Sequence, residues 1–161
     1  MNRLLQDWVT WHAERTPDAI AVVDGSERFS YRDLHTTSNQ VAQVLLALGL
    51  RPNDRVAILA PRSARAILAI HGILKAGGVY VPIDIRGPLA RTQRVLDSAE
   101  PKFLLASREG QSLAGQVLEA ETHPNIHTGW LEPGDPTPPD WSFGWSDVMA
   151  SSEAPPDVRR D

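Results

Sequence analysis

Leu74 to Asp84 reads LKAGGVYVPID, and this stretch decides the fold, because a helix ends on two glycines and the backbone runs straight into an apolar strand. Lys75 falls in the last helical turn, where its charge suits the carbonyl end of the dipole. Gly77 or Gly78 can take the left-handed conformation that ends a helix. Val79, Tyr80, Val81 and Ile83 form a short β-branched and aromatic run without polar alternation, the pattern of a strand covered on both faces in a parallel sheet. Pro82 has no N–H to donate, so the strand ends there or lies where that donor is not needed.

Upstream, Val56 to Ala60 (VAILA) is a second unalternating run, stopped by Pro61, and Ser63 can cap a helix carrying Ile67, Leu68, Ile70, His71 and Leu74. Val56 to Ile83 is therefore a strand–helix–strand unit whose crossover should be right-handed. His71 is expected as a hydrogen-bonded core or interface histidine rather than a ligand. Ser30 with Asp33 three residues on has capping-box spacing, and Leu34, Val41, Val44, Leu45 and Leu48 make the stripe of a helix closed by Gly49 and Pro52. Arg32 and His35 on that helix are expected to face solvent or its rim. Ala19–Val23 and Arg28–Phe29 flank Asp24-Gly25, a hairpin signal. Residues 3–14, with Leu4, Leu5, Trp8, Val9 and Trp11 at helical spacing, form an amphipathic helix whose tryptophans are expected to pack in the core or at a domain edge.

The chain of 161 residues, 42% hydrophobic, is long enough for one compact domain with a core and too short for two large ones. A formal net charge of −4 gives no basic excess that would favour nucleic acid or an anionic membrane. Without cysteine there is no disulfide, thiolate zinc site or cysteine nucleophile. No run is long enough to span a bilayer and residues 1–18 lack a signal-peptide core, so a soluble cytoplasmic protein is the expectation.

Two strings, in order along the chain, resemble core motifs of the adenylation domains of nonribosomal peptide synthetases, members of the adenylate-forming, AMP-binding ligase superfamily. One is LKAGGVYVPID; the other is Phe29 to Leu34, FSYRDL, with Asp33 where the family has Glu. Arg62 and Ser63 match a common pair after the VAILA strand, although Arg65 stands where an acid often follows. Pro88 and Arg91 also fall on family positions, whereas Ile85 stands where a proline usually follows the motif's aspartate. The resemblance implies an α/β fold: a mostly parallel sheet with flanking helices, the N-terminal portion of the ligase fold, with a small N-terminal hairpin. Residues 1–121 are expected as the N-terminal subdomain portion. Residues 122–161 are expected as a Pro/Trp-rich loop and polar tail leading to the phosphate-loop region.

Beyond the motifs, Lys102–Ala106 reads as a strand and Gln111–Ala120 as a helix. Arg86, Arg91 and Arg94 are spaced along one side of a helix start, with a solvated face expected and phosphate binding the minor alternative. Of thirteen prolines, six follow Glu132, which favours a linker with Trp130, Trp141 and Trp145 pinning it to the surface. His123 and His127 are four apart, but Pro124 and Asn125 between them argue against a shared metal.

The resemblance implies that the complete enzyme uses ATP and magnesium to turn a carboxylate into an acyl-adenylate, then loads a carrier-protein thiol. Its phosphate grip is a Ser/Thr/Gly-rich loop with a lysine, and no such string occurs in these residues. No catalytic, cofactor-binding or metal-binding residue is therefore assigned. The chain is expected to be the N-terminal fragment or subunit of a carboxylate-adenylating ligase, of an amino acid by the motifs, and inactive by itself. Its partners would be the remainder of the adenylation domain or a complementary subunit and, for the complete enzyme, a carrier protein. The alternative is a non-catalytic, ligase-derived module that binds a protein partner. In either case an incomplete open sheet is expected to expose a strand edge that self-associates or captures its complement.

Overall fold

A computed structural model describes residues 4–158. Helix α1 (Leu5–Arg15) is followed by a hairpin of β1 (Ile20–Asp24) and β2 (Glu27–Ser30), paired antiparallel around Gly25 at φ 58°. Then come α2 (Tyr31–Ala47), β3 (Arg55–Leu59), α3 (Ala64–Lys75), β4 (Val79–Pro82), α4 (Leu89–Ala99) and β5 (Phe103–Ala106). A single 3₁₀ turn at Arg108–Gly110 leads into α5 (Gln111–Glu119), β6 (His127–Trp130) and α6 (Trp145–Ala150).

The caps stand where the sequence places them. Ser30 Oγ accepts from the Asp33 N–H at 3.1 Å while the Ser30 N–H donates to Asp33 Oδ2 at 2.8 Å, the reciprocal capping box. Ser63 Oγ accepts from the Ala66 N–H. Of the two glycines that stop α3, Gly77 takes the left-handed conformation, at φ 82°.

The four parallel strands run in the order β4-β3-β5-β6. Alternate residues go to opposite faces, as the pleat requires. Val56, Ile58, Phe103 and Leu105 pack with α2, α3 and α6, whereas Ala57, Leu59, Leu104 and Ala106 pack with α4 and α5. The connection from β3 to β4 runs one way along the sheet through α3, and those from β4 to β5 and β5 to β6 run the other way on the opposite face. All three crossovers thus share one hand, as the right-handed rule demands.

Three expectations are corrected. Strand β4, read as covered on both faces, is one of the two edge strands of this sheet, and Val79 is 43% exposed. The Val79 and Ile83 N–H groups donate inward to the carbonyls of Asp54 and Ile58, so the missing Pro82 donor falls on the free edge. Residues 122–161, read as a Pro/Trp-rich loop and polar tail, carry β6 and α6, and Trp130 and Trp145 lie in the interior rather than on the surface. Phe143 bridges to Gly129 beside β6, which gives so short a strand its cover. In α1 only Gln6 and Val9 are buried, while Leu4, Leu5 and Trp8 are about half exposed. Trp8 meets Trp11 edge-on at 6.1 Å, and Arg3, the expected first residue of this helix, lies outside the described residues. No described helix is long and apolar enough to cross a membrane.

Candidate functional site

In an open α/β sheet, ligands meet the carboxyl ends of the strands where the strand order reverses, and here that point lies between β3 and β5. The 3₁₀ turn closes it: the Ser107 N–H donates to the Leu59 carbonyl at 3.1 Å, and a Cβ on Gly110 would stand 2.0 Å from that same oxygen. What stays open there is a small polar hollow of about 180 Å³ between Ser63, Arg65, Ser107, Glu109 and Glu132. Arg65, half-buried where the family often has an acid, pairs with Glu27 at 2.9 Å. Its guanidinium lies 5.2 Å from the Phe29 ring and 5.1 Å from the Trp145 ring, tying the hairpin to α6.

A larger cavity, about 730 Å³, opens beyond β3 and β4 between Ala60–Arg62 and Pro82–Arg86. Its wall is a turn built by Asp84. One carboxylate oxygen accepts from the Arg86 N–H at 3.0 Å, and the Asp84 carbonyl accepts from the Gly87 N–H at 3.1 Å. The Arg86 N–H and then its guanidinium hold the Asp84 carboxyl below its ordinary pKa. The turn needs no proline, which accounts for Ile85. Arg86 pairs with Asp84 at 3.2 Å from the surface and Arg91 adds its charge to the same carboxyl, while Arg91 and Arg94 border a separate shallow hollow on α4.

The histidines also part company. His127 stacks on Phe103 at 4.9 Å between centroids, while His123 Nε2 stands 3.2 Å from Asp97 Oδ1 without the alignment of a hydrogen bond. Among the described residues no three His, Asp or Glu side chains gather around a point.

The polar cluster that sequence reasoning missed lies between α1, α2 and α3. Lys75, read as a helix-end charge, is buried, with Nζ donating to Asn39 Oδ1 at 2.8 Å and to the His35 carbonyl at 3.0 Å. His35, expected at the solvent rim, is half-buried, its Nδ1 3.2 Å from Lys75 Nζ and 3.4 Å from Thr10 Oγ1. Arg32 does face solvent, paired with Asp18. His71, expected to be hydrogen-bonded, has a buried Nδ1 with no hydrogen-bond partner among the described residues.

Burial first, and Lys75 second, hold both His35 and His71 below the usual 6.5, with Glu14 opposing at His35. The unfolded chain therefore takes up these protons first as pH falls. Stability present above about pH 6.5 is lost below it, until the folded-state pKa values are passed. We expect the thermal midpoint to drop between pH 7.5 and 5.5, and the double change His35→Asn with His71→Phe to flatten that slope. A midpoint equally steep in the double variant would assign the dependence to other groups.

The family model for "AMP-binding enzyme" matches residues 9–159. Gramicidin S synthase 2 of Brevibacillus brevis is 39% identical over 129 residues, which is 78% of this chain and 3% of that protein. The apo structure of MbtA from Mycobacterium smegmatis superposes with a TM-score of 0.82 at 26% identity, covering 100% of this chain and 30% of that one. The nonribosomal peptide synthetase FmoA3, in a form bound to α-methyl-L-serine-AMP, gives 0.74 at 28% identity over 95% of this chain and 15% of that one. Curated relatives such as these are far longer, the chain spanning 1% of one and 12% of another.

Proposed function

The chain belongs to the family of AMP-binding enzymes, and on that premise we propose that it forms the N-terminal part of a ligase that adenylates an amino acid and loads it onto a carrier-protein thiol, inactive by itself. Its similarity to nonribosomal peptide synthetase adenylation domains runs through sequence and fold alike. The observation that carries the reading is the overlay on FmoA3, a synthetase crystallised with an aminoacyl-adenylate, across 95% of this chain.

In this reading ATP and magnesium are held by parts of the adenylation domain other than these residues, and residues 1–121 and 122–161 build the wall behind that site. The rest of the domain and a carrier protein are the partners. The sheet's closed switch point supports a scaffolding role for these residues.

The test starts from the polypeptide as its source cells make it, isolated with an antibody against this segment and weighed intact. Amino-acid-dependent ATP–pyrophosphate exchange is then measured on that polypeptide and on residues 1–161 alone. Exchange with one or a few amino acids in the longer polypeptide, and none from residues 1–161, is the expected pair of results. A native polypeptide of this length that catalyses no exchange, even when mixed with its co-purifying proteins, would sink the proposal.

A further inference from the structure

Three side-chain amides on α2 hold a segment from the far end of the chain. Gln40 Nε2 donates to the carbonyls of Met149 and Ser151 at 3.1 Å each, Asn39 Nδ2 to Glu153 at 2.8 Å, and Gln43 Nε2 to Ala154 at 2.9 Å. Asn39 and Gln40 are themselves buried. Residues 151–158 contain no strand, so these amides stand in for the backbone donors that a sheet would supply. The segment then passes over the end of α3, where a Cβ on Gly77 would lie 3.2 Å from Val158 Cγ1.

The two ends of an asparagine amide have the same shape, and only their partners choose between them. Lys75 Nζ is an obligate donor 2.8 Å from Asn39 Oδ1, and on the other end of the amide Nδ2 faces the Glu153 carbonyl at 2.8 Å and His35 Nε2 at 3.3 Å, so Lys75 holds the oxygen while the nitrogen reaches the strap. A lysine serving only the helix dipole does so from the surface, whereas this one is 4% exposed, and burying an ammonium is costly unless its contacts are specific.

We propose that Lys75 is a positioning residue which, by fixing the Asn39 amide, locks residues 149–158 along α2 and over Gly77. The motif's lysine and first glycine then act together on the strap, since the lysine sets its anchor and the glycine leaves room for it to pass. The proposal is independent of adenylation, and its readout is structural.

Hydrogen–deuterium exchange by mass spectrometry on the full chain, at pH 7, tests it with two variants. Lys75→Met removes the orienting donor. Asn39→Asp keeps a partner for Lys75, with added charge attraction, but removes the donor to Glu153. Each is expected to raise exchange across 149–158 roughly fivefold, the effect of losing one typical hydrogen bond, while Phe103–Ala106 stays protected. If Lys75→Met fails to fold, Asn39→Asp decides by itself. Unchanged exchange at 149–158 in Asn39→Asp, or an equal rise at 149–158 and Phe103–Ala106, overturns the proposal.

Discussion

Replacing Phe103 by alanine is expected to destabilise the fold by about 3–5 kcal/mol, the usual cost of emptying a buried aromatic site. Phe103 is 1% exposed and opens β5, where its backbone registers with Val56 of β3 on one side and His127 of β6 on the other. Its ring packs among α2 and α3 residues and stacks on the His127 ring at 27° between planes. Truncation removes both the core contact and the lid over β6, and the surrounding strands cannot close the gap without breaking register. Against a typical domain stability of about 5–15 kcal/mol this is a large fraction, and for a chain of this size it corresponds to a thermal midpoint lower by roughly 6–20 °C. Urea unfolding of wild type, Phe103→Leu and Phe103→Ala should give midpoints falling in that order. A loss under about 1 kcal/mol for Phe103→Ala would mean that β6 is not integral to the sheet.

Gly72→Leu is the second severe change, expected to cost about 3 kcal/mol or more. Gly72 marks the closest approach of α3 to α2: even a Cβ would stand 2.4 Å from Val41 Cγ1, 2.5 Å from Val41 Cβ and 3.1 Å from the Ser38 carbonyl. The first of these atoms can rotate away; the other two are fixed to the α2 backbone. The helices must therefore separate, opening a core that contains Leu45, Leu68 and Ile73, all fully buried. Gly72→Ala isolates the contest of effects, since alanine gains about 1 kcal/mol of helix propensity over glycine. It should be distinctly milder than Gly72→Leu, with both read from the same urea titration. Equal stability of Gly72→Leu and wild type would mean that α2 and α3 do not pack as closely as these distances require.

The parts of this fold that were legible are those whose cause lies within a few residues. The Ser30–Asp33 box, the Ser63 cap, the left-handed stop after Lys75 and the apolar strings of β3 and β5 each follow from neighbours in sequence. The two motif strings carried the family as well, and the match over residues 9–159 agrees. The candidate site was less legible. Arg86, Arg91 and Arg94 looked like a set by spacing, yet Asp84 takes the first into its own turn with Arg91 beside it, and only Arg91 and Arg94 share the hollow on α4. His35 looked solvent-facing because nothing within its helix reveals that α1 and α3 pack on either side of it.

By itself, then, the sequence determined most of the helices and strands up to α5, where most of them stop, and which family their motifs belong to, because caps, propensity and hydrophobic period are local quantities. Only the tertiary structure decided that β4 is an edge strand, that a four-residue stretch amid prolines is the fourth strand, and that Lys75 is interior. Each of these depends on strand order or on a partner roughly twenty to eighty residues away in the chain, and burial is a property of what arrives from that distance.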